Sequence, residues 1–284
     1  MSAPYRCGTV AILGRPNAGK STLLNALLGE KIAITSARAQ TTRGRLLGVL
    51  TRDDAQLLLY DTPGVHRGQA KFNLAMTDDA LEAAREADVR LLLFDAAGTW
   101  DEPEERLAGL PAPTFLVRTK CDLRKPSPVA GVERFADVFA ISAQDGSGLP
   151  ALLERIVREL PESPALYPAD TLTDKSLRFL VAEQIREVAF ELLRDEVPYS
   201  LAVEVEGWEE TDTDLRLRAN LLMERESQKA IVVGTGGRVL GSIGTEARKR
   251  LGERLGKTVH LNLWVKTDHN WSKKPARIRQ LGYL

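Results

Sequence analysis

The stretch Gly14-Arg-Pro-Asn-Ala-Gly-Lys-Ser21 places Gly14, Gly19, Lys20 and Ser21 at spacings that suit them to holding a polyphosphate. Glycines let backbone N–H groups turn inward around phosphate oxygens, and the N-terminus of a following helix adds partial positive charge. Lys20 can reach the terminal phosphates, and the Ser21 hydroxyl can sit on Mg²⁺. Candidate contacts therefore run through Gly14, Arg15, Pro16, Asn17, Ala18, Gly19, Lys20, Ser21 and Thr22.

Three further polar clusters follow in order. Asp61-Thr-Pro-Gly64 comes next, where Asp61 can hold a Mg²⁺ shell through water and Gly64 offers a free N–H to a γ-phosphate; Thr62, Pro63 and Val65 flank them. Alone, such a tetrapeptide is an ordinary turn; after a phosphate loop it means more. In Thr119-Lys-Cys-Asp122 the Asp122 carboxylate can accept paired N–H bonds from guanine N1 and N2, which adenine does not offer. The Lys120 stem can cover the base, with Thr119 and Cys121 beside it, and the backbone of Ser142-Ala143 can meet the guanine O6. Gln40-Thr-Thr-Arg43 lies in a polar stretch, 31–44, where the Thr42 hydroxyl can complete the Mg²⁺ shell when a γ-phosphate is present. The catalytic candidates are Lys20, Thr42, Asp61, Gly64 and Asn17, and the metal candidates Ser21, Thr42 and Asp61.

These clusters need an α/β scaffold. Apolar runs at Thr9–Leu13, Leu46–Leu50, Gln56–Tyr60, Arg90–Phe94, Thr114–Val117 and Val138–Ile141 read as strands. Helical patterns fall at 20–28, about 70–86, about 101–109 and 148–160. The alternation predicts a mixed, mostly parallel sheet with helices on both faces, one edge antiparallel through the link Arg52-Asp-Asp54. Each polar cluster then sits past the C-terminal end of a strand, where ligands bind in such sheets.

Pro161, Pro164 and Pro168 mark a break. Beyond it, Thr173 or Asp174 is the expected cap of a helix with Leu177, Val181, Ile185, Val188 and Leu192 on one face. Strands are expected at Ser200–Val205, Leu215–Met223 and Val259–Val265, with a glycine loop, Gly234-Thr-Gly-Gly237, between two helices. Helix, strand, strand, helix, helix, strand with Gly-x-x-Gly in that slot is the layout of a KH domain of the bacterial type, a smaller α+β fold. The expected boundaries are 1–165 for the first domain, 166–174 for a linker and 175–284 for the second.

Composition fits both. The chain has 284 residues, 43% hydrophobic and 27% charged, as in soluble globular proteins. No apolar run approaches the ~18 residues of a membrane span, and the start lacks a signal-like segment. Two cysteines, Cys7 and Cys121, suggest no disulfide framework and point to a reducing, cytoplasmic setting. Net charge is zero, yet residues 225–284 carry 13 Lys and Arg against 4 Asp and Glu. That basic end, with Gly234, Thr235, Gly236, Gly237, Arg238, Arg248, Lys249 and Arg250, is a candidate surface for a polyanion such as RNA; a solvated charged helix is the alternative.

With Thr42 in a Thr-Thr-Arg switch, the first domain resembles a translation-factor-class GTPase. Adding the KH layout, Pro198-Tyr199-Ser200, Val232–Ile243, Thr245-Glu-Ala-Arg248, Leu263-Trp-Val-Lys266 and Leu281-Gly-Tyr-Leu284, the chain resembles the Era family of bacterial GTPases over nearly its whole length. The resemblance implies GTP/GDP and Mg²⁺ as ligands and binding near the 3′ end of 16S ribosomal RNA during small-subunit assembly. It also implies a monomeric cytoplasmic protein able to touch the inner face of the membrane peripherally.

Two departures stand out. Thr119 occupies the place where the common pattern has Asn, so the side-chain bridge to the phosphate loop is expected to be altered. Val65 stands where Ras-like enzymes place a water-orienting glutamine, and neighbouring His66 and Arg67 read as solvent-exposed. Slow hydrolysis is expected, with Asn17 at the position where related GTPases coordinate K⁺. Rival readings are a GTPase of tRNA modification, a binding module without hydrolysis and an ATPase. The tRNA-modification reading would need a reactive C-terminal Cys that this chain does not carry, and Asp122 disfavours the ATPase.

Overall fold

The computed structural model describes residues 4–35, 42–64, 81–109 and 113–283. The expectations for Gln40, Thr41, Val65, His66 and Arg67 lie outside them, as does most of the helix expected at 70–86, of which 81–86 is described and helical. The chain divides into two compact units, Met1–Asp174 and Lys175–Leu284.

The first unit is built on six strands: β1 (Arg6–Gly14), β2 (Leu46–Thr51), β3 (Ala55–Asp61), β4 (Val89–Asp95), β5 (Thr114–Thr119) and β6 (Asp137–Ala140). Their order is β2-β3-β1-β4-β5-β6. Only β2 runs antiparallel, against β3. Val10–Leu13 are all fully buried, as expected of a central parallel strand covered on both faces. Helices α1 (Lys20–Leu28), α2 (Glu102–Ala108) and α3 (Leu149–Glu159) belong to this unit. Asp101 starts α2 with Glu104 reaching back to its N–H at 3.3 Å, a capping box.

Strand β1 is longer than its apolar run because Arg6–Gly8 still pair with Ala55–Leu57; the ladder, not hydrophobicity, sets its length. β6 ends one residue early, although the Ile141 N–H still donates to Arg118 O at 2.8 Å.

The second unit contains α4 (Leu177–Leu192), β7 (Ala202–Glu210), β8 (Asp214–Met223), α5 (Glu226–Val233), α6 (Arg238–Leu255), β9 (Thr258–Thr267) and α7 (Pro275–Gln280). β7 and β8 are antiparallel, and β8 and β9 parallel. The cap of α4 is Ser176, whose hydroxyl accepts from the Phe179 N–H at 3.2 Å, not Thr173 or Asp174. β7 runs on to Glu210 because a bulge between Val205 and Gly207 absorbs the break in alternation. The core joins Ile185, Val188 and Ala189 of α4 to Leu217 and Leu221 of β8 and Ile243 and Leu251 of α6. Sequence periodicity missed α7, because its segment is held by Trp271, Leu281 and Tyr283 packing on Ala202 and Leu222. Among the described residues no helix is long and apolar enough to cross a membrane.

Candidate functional site

The turn between β1 and α1 puts the Lys20 ammonium inside the protein, donating to Gly14 O at 3.1 Å and Arg15 O at 2.8 Å. Burial pushes its pKa down to about 8, against the pull of Asp61. Ser21 Oγ donates to Asp61 Oδ2 at 2.6 Å, Thr42 Oγ1 donates to the same oxygen at 3.1 Å, and the two hydroxyls lie 3.0 Å apart. Asp61 is fully buried, and its other oxygen, Oδ1, has no hydrogen-bond partner among the described residues. Burial raises the Asp61 pKa, opposed by Lys20, Ser21 and Thr42. A buried carboxylate oxygen left unsatisfied beside two hydroxyls is a set of hard oxygen donors that a hydrated Mg²⁺ fits.

Around this centre the chain is tightly held. A Cβ on Gly64 would lie 2.6 Å from the Pro16 nitrogen, so only glycine lets this strand end approach the phosphate loop. Pro16, Asn17, Lys20, Ser21, Thr42 and Gly64 share the lining of one cleft with Thr22. Asn17 takes a left-handed conformation, φ 64°, inside the loop. Two predicted contacts are turned to structural work. The Thr62 hydroxyl donates to Ile12 O at 2.7 Å, and buried Pro63 follows it. The Arg15 guanidinium is taken by Asp101 at 2.9 and 3.0 Å and by Glu104 at 3.1 Å.

The base-reading cluster lies at the ends of β5 and β6. Thr119 is 3% exposed and donates to Ala18 O at 2.8 Å. A shorter side chain thus still bridges to the phosphate loop through its hydroxyl. Lys120, at φ 60°, donates to Asp95 Oδ2 at 2.6 Å. Burial works against the Asp95 charge, but the bonds from Lys120 and the Ala97 N–H hold its pKa below the usual carboxylate range. Cys121 Sγ donates to Arg118 O. Asp122 is exposed, and its carboxylate accepts no hydrogen bond among the described residues, so it can receive two base N–H groups. Ser142 Oγ accepts from the Gln144 and Asp145 N–H groups at 3.2 and 3.3 Å, a turn that leaves the Ala143 N–H without an acceptor among the described residues.

In the second unit, Gly234 ends α5, Thr235 and Gly236 are exposed ahead of α6, and Arg238 is exposed as its first residue. A groove between α6 and β9 is lined by Gly237, Leu240, Gly244, Arg248, Leu261 and Trp264. Arg248 borders it, donating to Thr245 Oγ1 at 3.0 Å, and Lys249 is exposed. Arg250 corrects the sequence reading. It is bound by Glu191 at 2.7 and 2.9 Å and by Glu246 at 2.7 Å, which braces α6 against α4 instead of facing a ligand.

Sequence reasoning missed Asp95, Asp101 and Glu104. Asp95 ends β4 as Asp61 ends β3, which is a usable signal; Arg15 lies 86 residues from Asp101, and nothing local pairs them.

Comparison with known proteins bears on both units. Residues 9–120 match the family described as "50S ribosome-binding GTPase", and residues 196–272 match the "KH domain" family. A curated relative, "GTPase Era" of Geobacter metallireducens, is 42% identical over 99% of this chain and 98% of its own length. The "GTPase Era" of Geotalea uraniireducens is 42% identical over 98% of both chains. A crystal structure of Era in complex with MgGDPNP and nucleotides 1506-1542 of 16S ribosomal RNA superposes with a TM-score of 0.88 at 36% identity, covering 98% of this chain and 99% of that one. An Aquifex aeolicus Era variant bound to GDP.AlF4- gives 0.88 at 37% identity with the same coverage.

Proposed function

The chain belongs to the Era family of GTPases, and from that premise we propose that it hydrolyses GTP with Mg²⁺ and binds the 3′ end of small-subunit ribosomal RNA in a nucleotide-gated manner. The observation that carries the nucleotide half is the convergence of the Ser21 and Thr42 hydroxyls within 3.1 Å of Asp61 Oδ2, on a buried carboxylate whose other oxygen, Oδ1, is unsatisfied among the described residues.

When bound, Mg²⁺ supplies neutralisation of charge on the β- and γ-phosphates. The chain's own residues do the rest. Backbone N–H groups of Gly14–Ser21 cradle the phosphates, and Lys20, oriented by the Gly14 and Arg15 carbonyls, brings its ammonium to them. Ser21, Thr42 and Asp61 hold the metal, and Gly64 offers its N–H to the γ-phosphate. Asp122 selects guanine, with Lys120 fixed by Asp95 and the Ala143 N–H placed for O6. Asn17 provides an amide for K⁺, so turnover is expected to be faster in K⁺ than in Na⁺; equal rates would remove that role.

RNA enters the groove beside Gly234–Gly237, flanked by Arg238, Arg248 and Lys249. The setting is the cytoplasm, with the assembling small ribosomal subunit as partner and peripheral contact with the inner face of the membrane. Binding of a labelled RNA matching the 3′ end of small-subunit ribosomal RNA, with GTP analogue, GDP or no nucleotide, tests the reading. Tighter binding with the analogue is expected; affinity that ignores nucleotide removes the gating, and no specific binding removes the RNA assignment.

A further inference from the structure

The β2–β3 hairpin joins two places that the nucleotide must address. Its upper end pairs Leu46, four residues past Thr42, with Asp61, three residues before Gly64. Its lower end pairs Thr51 with Gln56, about 17 Å away along the strands.

At that lower end the hairpin grips the chain leaving the first unit. Gln56 is fully buried and uses its whole amide. Its Oε1 accepts from the Leu166 N–H at 2.8 Å and the Tyr167 N–H at 2.9 Å. Its Nε2 donates to Tyr167 O at 2.9 Å and Thr51 Oγ1 at 3.0 Å. One further bond, from the Val49 N–H to Leu172 O at 2.9 Å, adds the same segment to the edge of β2. The Tyr167 ring packs with Tyr60 on Leu47, Val49 and Leu58. Leu166 and Leu172 remain 62% and 42% exposed, so the grip is made by backbone groups on Gln56 and Val49 and by one ring. Leu172 lies three residues before Lys175, where the second unit begins.

We propose that this hairpin is the relay between nucleotide and RNA, with Gln56 as its coupling residue. A hydrogen-bonded strand pair is stiff along its length, so displacement of Thr42 and Gly64 by a γ-phosphate moves the whole ladder. The segment 166–172, tied at two rungs, follows it and carries the change to Lys175 and the RNA-binding unit. Linkage makes the relay reciprocal: RNA must alter nucleotide affinity by the same factor. The inference rests on the nucleotide-gated RNA binding proposed above.

Gln56→Leu keeps the volume and removes these four hydrogen bonds, together with the long bond that the Cys7 thiol donates to Oε1 at 3.8 Å. In the full chain, RNA affinity is measured with GTP analogue and with GDP. Wild type is expected to show a ratio of about 5 or more, typical of coupled sites. In Gln56→Leu the ratio should collapse towards one while each ligand still binds. An unchanged ratio in the variant overturns the relay; a wild-type ratio of one overturns the gating itself. Should the variant fail to fold, amide exchange at Val49, Leu166 and Tyr167 of wild type decides. Protection that differs between GTP-analogue and GDP states is expected, and identical protection overturns the proposal.

Discussion

The ammonium of Lys20 sits in a site that dehydrates it, and this fixes a pH dependence. Its pKa of about 8 lies below the ordinary 10.5, so the folded protein binds fewer protons than the unfolded chain between those values. The burial cost is therefore full below pH 8 and fades as pH rises through that window. Arriving phosphates must raise the pKa again, so nucleotide binding near pH 8 takes up a proton, and affinity falls as pH climbs past 8, by up to about tenfold per unit. Calorimetric titration in buffers of unlike ionisation enthalpy checks this; heats independent of buffer would contradict it. Thr119 makes a second case. Thr119→Val keeps the shape but strands the Ala18 carbonyl that its hydroxyl now satisfies at 2.8 Å. We expect a loss of roughly 1–2 kcal/mol in nucleotide affinity, close to tenfold, from the unsatisfied buried acceptor. Thr119→Asn, able to donate to the same oxygen, should lose much less, and equal losses in both would show that the bond is unimportant.

Among the elements, the α5–α6 connection shows two glycines with opposite duties. Gly234 has φ 71°, and a Cβ there would meet Val239 Cγ2 at 2.5 Å; Gly236 has φ 61° with nothing within 4 Å. Gly234→Ala should cost about 1–3 kcal/mol of second-unit stability, through strain and overpacking. Gly236→Asp should leave melting nearly unchanged, since Asp tolerates left-handed φ, yet abolish RNA binding by placing a carboxylate where phosphates pass. Thermal melts beside RNA titrations separate the two, and a stable Gly234→Ala would refute the packing argument. The same scale explains why Arg250 misled: on a helix, Arg248, Lys249 and Arg250 point in different directions, and only packing against α4 reveals which one meets Glu191.

For the whole molecule, two compact units predict two responses to ligand. GTP with Mg²⁺ should raise chiefly one calorimetric transition and RNA chiefly the other, because each stabilises the unit that binds it. A single transition shifted alike by both would contradict this. How far the sequence reached follows the same division. Sequence alone determined the α/β order, the phosphate loop and Asp61, Thr119 and Asp122, because each depends on residue type at short spacing beside a periodic element. The KH layout was legible for the same reason, carried by Gly234–Gly237 between two amphipathic helices. Tertiary structure alone decided that Thr119 bridges to Ala18, Asp95 fixes Lys120, Glu104 takes Arg15, Arg250 braces α4 and Gln56 grips residues 166 and 167. Most of these join groups 25 to 110 positions apart, and a hydrogen bond between such groups leaves no periodic trace in the chain, only a polar residue whose partner folding supplies.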